Sequence, residues 1–217
     1  MSGTSAPHLK RSDLTRRLAS LEGFPQPEAR FEQVPTPPEE ASALLWEALS
    51  RGDLLGRRVL DLGAGTGTLA IGAALLGANL TIAVERDAEA AEVGRRNSTL
   101  AGVEVDWRVL ELTEASAGSL QVEADTVIMN PPFGAQRRHA DRPFLEAAAA
   151  ALPRAGGGAV YLLSNAASQA FIERWSIARH LTIEEHRRST WPLPPTFSHH
   201  REARGKVEVD RWIFRRR

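Results

Sequence analysis

Short apolar runs alternate along the chain with longer segments whose apolar residues recur every three or four positions. The runs predict buried strands at residues 59–62, 80–84, 125–129 and 159–163. The periodic segments predict helices at residues 9–21, 36–50, 68–76, 88–101, 144–152 and 168–180. Strand and helix units that alternate in this way favour a mostly parallel sheet with helices on both faces.

Three further segments complete the predicted sheet. Residues 103–109 alternate apolar and charged side chains, so this strand is expected to have one polar face. Residues 182–188 and 206–214 predict a closing antiparallel pair, joined by a long loop that contains prolines and histidines. We therefore expect an α/β fold with a seven-stranded sheet and a C-terminal antiparallel hairpin.

One helix start has a recognisable signal. Thr36 and Glu39 have capping-box spacing, and the prolines between them fit a first helical turn. Taken from these residues alone, Thr36 is predicted to be the N-cap of the helix that runs to about Ser50.

Composition sets limits on this picture. With 217 residues, 42% of them hydrophobic, the chain can bury one sizeable core. We expect a disordered start at residues 1–8 and a single domain at residues 9–217, with a helical extension at 9–50 and the core at 57–217. Basic and acidic residues both total 27, so net charge predicts no polyanion binding, although local clusters could bind one. Cysteine is absent, which excludes disulfides, and no apolar stretch resembles a signal sequence or a membrane span; we expect a cytoplasmic protein.

A glycine-rich loop, Asp61-Leu62-Gly63-Ala64-Gly65-Thr66-Gly67, follows the first predicted strand. Glycines there let the backbone approach a ligand before a helix begins, and the helix start offers free N–H groups. A dinucleotide fingerprint would need a third glycine where Thr68 stands. The pattern is instead typical of S-adenosylmethionine (SAM)-dependent methyltransferases, with Asp61 near the methionine amino group and Gly63, Gly65, Gly67 and Thr68 along the cofactor. A tight turn that binds nothing is the alternative.

Two glutamates follow the next strands. Glu85 ends the second strand, where a carboxylate can accept hydrogen bonds from both ribose hydroxyls. Asp87, beside it, is predicted to cap the following helix. Glu111 follows the third strand and could meet the adenine edge; a solvated surface glutamate is the alternative.

Asn130-Pro131-Pro132-Phe133 follows the fourth strand and is the most informative motif in the chain. The Asn130 side-chain carbonyl and the Pro131 backbone carbonyl can each accept one hydrogen of an exocyclic amine. Pro131 and Pro132 stiffen the loop. Phe133 offers a face on which a base can stack, typically worth about 1–3 kcal/mol. The motif indicates methyl transfer to a planar amino group, with an ordinary proline-rich turn as the alternative.

With both motifs in place, the chain resembles the methyltransferase-like protein 5 family over roughly residues 9–214. The similarity includes Leu21-Glu22-Gly23-Phe24, Glu32-Gln33-Val34-Pro35-Thr36, the two loops above and Val207-Glu208-Val209-Asp210. The family consists of class I SAM-dependent enzymes that form N6-methyladenosine in small-subunit ribosomal RNA. The resemblance implies the same fold, cofactor and substrate here.

The resemblance also implies roles that the residues alone do not. The family uses the Gln and Thr of the Glu-Gln-x-Pro-Thr element around the cofactor, which implies Gln33 and Thr36. Eukaryotic members need a small zinc-binding activator subunit that adds to a sheet edge. Residues 103–110 are the expected strand, with Trp107 and Val109 on its apolar face; packing of these two side chains into the core is the alternative. The sequence departs from the family at Val34, Glu85 and Glu111, where Tyr, Asp and Asp are common. These differences put the fine geometry in question.

Basic residues that flank the predicted site, taken as a set, favour a track for RNA phosphates. They are Arg11, Arg16, Arg17, Arg137, Arg138, His199, His200, Arg201, Arg204, Arg215, Arg216 and Arg217. For each residue alone, solvated charge is the alternative. His199 and His200 lack acidic or cysteine partners at ligand spacing, so we expect no metal site.

The sequence thus predicts SAM-dependent N6-adenine methylation of RNA, most specifically small-subunit ribosomal RNA. Methylation of a protein glutamine amide, of another RNA or of DNA is an alternative with the same chemistry. A catalytically silent scaffold is an alternative of another class, and the intact amine-binding loop argues against it. A nicotinamide-dependent oxidoreductase is disfavoured by the glycine spacing.

Overall fold

A computed structural model describes residues 9–25, 34–117, 120–133, 139–192 and 206–217. The helices are α1 (Arg11–Ala19), α2 (Pro38–Ser50), α3 (Thr68–Leu75), α4 (Ala88–Ala101), α5 (Arg142–Ala151) and α6 (Gln169–Ala178). The strands are β1 (Arg58–Leu62), β2 (Leu80–Glu85), β3 (Asp106–Val109), β4 (Thr126–Met129), β5 (Ala159–Asn165), β6 (Leu181–Pro192) and β7 (Lys206–Arg216). The predicted disordered start at residues 1–8 lies outside the described residues.

The strands form one seven-stranded sheet in the order β3-β2-β1-β4-β5-β7-β6. β1 to β5 are parallel, whereas β7 is antiparallel to both β5 and β6. The predicted fold class is confirmed. β1 lies between β2 and β4, so the loops that leave β1 and β4 emerge side by side at the carboxyl edge. An open parallel sheet binds ligands at such a point, where the strand order reverses.

Helices cover both faces of the sheet because each face is apolar. On one face, α1, α2 and α3 bury Leu14, Leu45 and Leu69 together with Tyr161 and Ile213. On the other face, α5 and α6 bury a second cluster that includes Leu145, Ile172, Trp175, Trp212 and Phe214. The contact between α2 and α3 is close, since a Cβ at Gly72 would lie 2.4 Å from Leu45. The N-terminal helices therefore pack directly against the elements that carry the glycine loop.

A buried polar cluster holds the opposite, amino edge of the sheet. Asp53, which follows α2, accepts a hydrogen bond from the Tyr161 hydroxyl at 2.6 Å and two from the Arg215 guanidinium at 2.7 and 2.8 Å. Its backbone carbonyl accepts a further bond from Thr126 at 2.6 Å. Burial raises the pKa of Tyr161, with the hydrogen bond to Asp53 adding to the rise. The cluster ties the segment after α2 to β4, β5 and β7, and Arg215, predicted from sequence among the phosphate contacts, is paired with Asp53.

Two local predictions were wrong. Thr36 is not the N-cap of α2; Pro37 holds that position, without a side-chain cap. The reason is that the Thr36 hydroxyl is engaged with Asn130 instead. The strand predicted over residues 103–110 is shorter, and β3 pairs with β2 only over Asp106–Val109.

β3 forms an edge of the sheet, as the activator prediction requires. Trp107 and Val109 do not share one apolar environment, however. Trp107 packs so closely on α4 that a Cβ at Gly94 would lie 2.1 Å from its ring. Val109 is 48% exposed. Within the described part of the chain, no helix has the length and apolar character needed to cross a membrane.

Candidate active site

Asn130 lies directly after β4, and its side chain has one fixed orientation. The amide nitrogen donates to the Thr36 hydroxyl at 3.0 Å and, more weakly, to the Val34 carbonyl at 3.4 Å. The Val34 carbonyl can only accept, so the nitrogen must face this side. The amide oxygen Oδ1 is buried and has no hydrogen-bond partner among the described residues. Since buried polar atoms are nearly always satisfied, this oxygen is suited to accept a hydrogen from a bound substrate.

The rest of the loop separates two recesses. Pro132 lines the larger recess together with Asn130. Phe133 packs against the apolar cluster beneath α1, α2 and α3, and it also borders a narrow cleft near α6 and the end of β5. Pro131 and Pro132 line that cleft as well. The stacking role of Phe133 therefore remains a prediction, and the narrow cleft is where it would act.

Asp61, near the end of β1, is almost fully buried, with 1% of its surface exposed. Its Oδ2 accepts a hydrogen bond from the Ala70 N–H at 2.9 Å. Its Oδ1 has no partner among the described residues. Burial raises the pKa of Asp61 to about 8, and the nearby Glu85 carboxylate adds to the rise. A bound ammonium group would satisfy this oxygen and restore its charge, which is the role predicted for Asp61.

The glycine loop adopts conformations that other residues tolerate poorly. Gly63, Gly65 and Gly67 have φ of +75°, +55° and +98°, all in the left-handed region. A Cβ at Gly65 would also lie 2.8 Å from the ring of Phe24. Thr68 begins α3 directly after the loop and lines a small cavity with Thr36 and Asp61. The predicted cofactor residues of this loop are thus brought together.

Glu85 has a structural role besides its predicted one. It is 8% exposed, and its Oε2 accepts from the Gly65 N–H at 2.8 Å. Its Oε1 accepts from the Asp87 N–H at 2.9 Å. Burial raises the pKa of Glu85, although the backbone hydrogen bonds to its carboxylate act to lower that pKa. The carboxylate therefore fixes the glycine loop, and further lone pairs remain for a ribose. Asp87 caps α4 as predicted.

Glu111 lies in the loop two residues beyond β3, where it is paired with Arg86 at 3.2 Å. Both side chains line the larger recess with Glu85. This recess has a volume of about 520 Å³ and runs from the glycine loop to Asn130. That size is in the range of small-molecule sites. The adjoining small cavity contains Asp61 and measures about 40 Å³. A nucleoside in the recess, with an amino-acid end toward Asp61, fits these donors and acceptors.

Three residues of the site were missed from sequence. Phe24 lines both cavities, and Phe144 covers Gly63, where a Cβ would lie 3.0 Å from its ring. Asn97 of α4 is fully buried and bridges two loops. Its Oδ1 accepts from the Glu22 N–H at 2.9 Å, and its Nδ2 donates to the carbonyls of Glu22 and Thr66 at 2.9 and 3.0 Å. The only hint in the sequence is an asparagine within a helix, where this residue type is unfavourable.

Several predicted residues cannot be placed. Gln33, Arg137, Arg138, His199, His200, Arg201 and Arg204 lie outside the described residues. Of the other candidates for the phosphate track, Arg16 is paired with Asp13, and Arg216 donates to the Leu152 carbonyl at 3.2 Å. In the described ranges, no group of three or more acidic, His or Cys residues could hold a metal ion.

Several known proteins are similar to this chain in sequence and fold. Residues 37–174 match the family model described as methyltransferase small domain. The chain is 32% identical to the Drosophila melanogaster protein named rRNA N(6)-adenosine-methyltransferase Mettl5, over 95% of the chain and 96% of the relative. The Danio rerio protein named rRNA N(6)-adenosine-methyltransferase METTL5 is 30% identical, over 93% and 97% of the two chains. A solved structure from Pyrococcus horikoshii, described as that of a proposed RNA methyltransferase, is similar with a TM-score of 0.84 and 36% identity, over 96% and 98%.

Asp61 makes stability depend on pH in a defined direction. The pKa of Asp61 rises from 3.8 to about 8 on folding. At a pH between these two values, the folded protein holds a proton on Asp61 that the unfolded chain releases. The resulting stability is complete below the unfolded pKa and is lost as pH rises through about 8. We expect Asp61→Asn, which cannot ionise, to gain about 1 kcal/mol or more over the wild type between about pH 5 and pH 8.5. Urea unfolding of both proteins without ligand measures this difference.

Glu104→Gln, which removes an exposed carboxylate just before β3, controls for the loss of one charge. A constant difference in unfolding free energy between Asp61→Asn and the wild type across this range would show that Asp61 is not a buried, protonated group.

Proposed function

Because the chain belongs to the methyltransferase-like protein 5 family, we propose that it methylates the exocyclic N6 amine of an adenine in small-subunit ribosomal RNA. Membership in a methyltransferase family and the class I fold confirm S-adenosyl-L-methionine as the predicted methyl donor. The single observation that supports the amine as acceptor is the buried, unpartnered Oδ1 of Asn130.

The chain's own groups are suited to hold the amine. Oδ1 of Asn130 accepts one amine hydrogen, and the Pro131 backbone carbonyl, which follows it in the loop, accepts the second. With both hydrogens held, the nitrogen lone pair faces the recess that binds the cofactor. Bound S-adenosyl-L-methionine supplies an electrophilic methyl group on its sulfonium sulfur. Fixing the amine before reaction lowers the entropic cost of reaching the reactive geometry.

The target base must leave its stack to reach Asn130, because the amine acceptors lie inside the protein surface. The narrow cleft beyond Pro132 offers Phe133 as a stacking face, and Ser164 and Asn165 line its far side. The cleft encloses no free volume, so an adenine could stack on Phe133 there only after the side chains that line it move apart.

Two alternatives use other observations. A glutamine amide presents the same two hydrogens, so the loop alone does not exclude a protein substrate. RNA is favoured because the relative named for rRNA methylation is similar over 95% of this chain. The similarity is therefore not limited to the part of the chain that contains the glycine loop. A silent scaffold is disfavoured, since an unpartnered buried carbonyl costs roughly 1–3 kcal/mol with no return in a protein that binds no amine.

The deciding experiment removes the amine acceptor. Wild type incubated with methyl-labelled S-adenosyl-L-methionine and unmodified small-subunit ribosomal RNA is expected to yield labelled N6-methyladenosine after digestion. Asn130→Ala should reduce the rate by about a hundredfold or more, as loss of one preorganised hydrogen-bonding group does elsewhere.

The matched control is Asn79→Ala, because Asn79 is exposed at the opposite edge of the sheet, just before β2. It should keep the wild-type rate. Label in a nucleoside other than N6-methyladenosine, or an Asn130→Ala variant as fast as the wild type, would refute the proposal.

Thr36 is expected to act through Asn130. Thr36→Val keeps the shape of the side chain but removes the acceptor of the 3.0 Å hydrogen bond, so the amide of Asn130 loses its fixed orientation. We expect kcat for RNA methylation to fall about tenfold, equivalent to one hydrogen bond, with a smaller change in the KM for RNA. Steady-state kinetics at saturating cofactor measure both constants.

Thr36→Ser retains the hydroxyl and should preserve kcat. Cofactor affinity is measured separately by calorimetry, because Thr36 also lines the small cavity. Wild-type kcat in Thr36→Val would mean that Asn130 is oriented by other contacts.

A small zinc-binding activator subunit, implied by the family resemblance, is part of the proposal. β3 offers an unpaired strand edge, to which a partner strand can add. Val109 and Leu110 are 48% and 37% exposed beside it. We expect the protein purified alone to have low activity and the activator to increase it. A stable, fully active monomer in size-exclusion chromatography would contradict this part of the proposal.

A further inference from the structure

Arg142 places a positive charge at the mouth of the active site. It is the first residue of α5, and it lines the larger recess together with Asn130 and Pro132. From its position and contacts we infer that the guanidinium of Arg142 binds a phosphate next to the target nucleotide. This inference rests on the proposed function, and it adds a residue that the sequence pattern did not single out.

The guanidinium is held in place by an aromatic ring. Its central carbon lies 4.9 Å from the centre of the Phe171 ring, which α6 supplies. A cation over an aromatic face at this distance is attracted to it. The contact orients the planar fork of donors without using any of them. A preoriented fork loses less side-chain entropy when it binds an anion.

Within the described part of the chain, Arg142 keeps a donor that no other residue uses. Its Nε is buried without a hydrogen-bond partner, and no described carboxylate forms a salt bridge with its guanidinium. Two other surface arginines differ in this respect: Arg86 pairs with Glu111 and Arg179 pairs with Glu146. The neighbouring Asp141 is close enough for the charge of Arg142 to lower its pKa, although burial raises that pKa overall, and the two side chains form no salt bridge within the described residues. An anion from outside is the partner that this guanidinium lacks.

A phosphate fits this position better than the carboxylate of the cofactor. The small cavity that contains Asp61 and Thr66 is suited to the amino-acid end of the cofactor, and Arg142 does not line it. Phe171 belongs to the same helix as Ile172, which lines the narrow cleft proposed for the base. Arg142 lines the recess and contacts the helix that borders the cleft, so its guanidinium is within reach of a phosphate beside the flipped nucleotide. Planar bidentate donors match phosphate oxygens.

The test removes the charge and retains the aliphatic stem, using Arg142→Met in the full-length protein. Affinity for a single-stranded fragment of small-subunit ribosomal RNA is measured by fluorescence anisotropy over a series of salt concentrations. We expect affinity to fall about three- to tenfold at low salt, and the slope of log affinity against log salt to decrease by about 0.7, as for one lost phosphate contact. Cofactor affinity from calorimetry should stay within about twofold of wild type.

Two variants make the result specific. Arg142→Lys keeps the charge but loses the planar fork, so it should retain the salt slope and part of the affinity. Arg154→Met removes an exposed arginine from the turn between α5 and β5, at the opposite edge of the sheet, and should behave as wild type. Thermal unfolding checks that all three variants are folded.

The outcomes separate this inference from the proposed function. Unchanged RNA affinity and salt slope in Arg142→Met, while the wild type forms N6-methyladenosine, would overturn the role of Arg142 alone. A loss of cofactor affinity instead would assign Arg142 to the cofactor carboxylate and also overturn it. A folded wild type that neither binds nor methylates RNA would overturn both.

Discussion

The orientation of one buried amide is the constraint on which the site depends. Asn130 must keep its oxygen free inside the protein, which is possible only if its nitrogen is held by other groups. Thr36 and Val34 supply those acceptors from the N-terminal segment rather than from the sheet. The segment must therefore lie against the end of β4. The packing of α1 and α2 on one face and the Asp53 cluster at the far edge both keep it there.

On the side of the glycine loop, polar groups hold the loops in place, and some of them keep unused hydrogen-bonding atoms. Glu85 fixes the glycine loop through Gly65 and still presents lone pairs to the recess. Asp61 holds the start of α3 with one oxygen and leaves the other without a partner. Asn97 joins the glycine loop to the segment that positions Phe24. The unfavourable burial of these polar atoms is compensated when a ligand with complementary charge binds.

Patterns with a local cause were read correctly from the sequence. The apolar periodicity gave the order of strands and helices, and the glycine spacing excluded a dinucleotide site. Thr36 shows where local reasoning fails. Its spacing to Glu39 satisfies a capping box, yet its hydroxyl bonds Asn130, which is 94 residues away in sequence. A long-range partner that is buried competes successfully with a cap that water could replace. Arg215, expected among RNA contacts, is likewise taken by the distant Asp53.

By itself, the sequence determined the fold class and the position of the glycine loop and the Asn130 loop at strand ends, and it predicted an amine as the acceptor. These depend on residue types at fixed short spacings, which act through backbone conformation and side-chain chemistry that need no distant partner. Only the tertiary structure decided which polar atoms are left unpaired, as in Asn130, Asp61 and Arg142. Hydrogen bonding and burial depend on which groups meet across the chain. Long-range contacts, such as those of Phe24 with Gly65 and of Asn97 with Thr66, leave no periodic signal in the sequence.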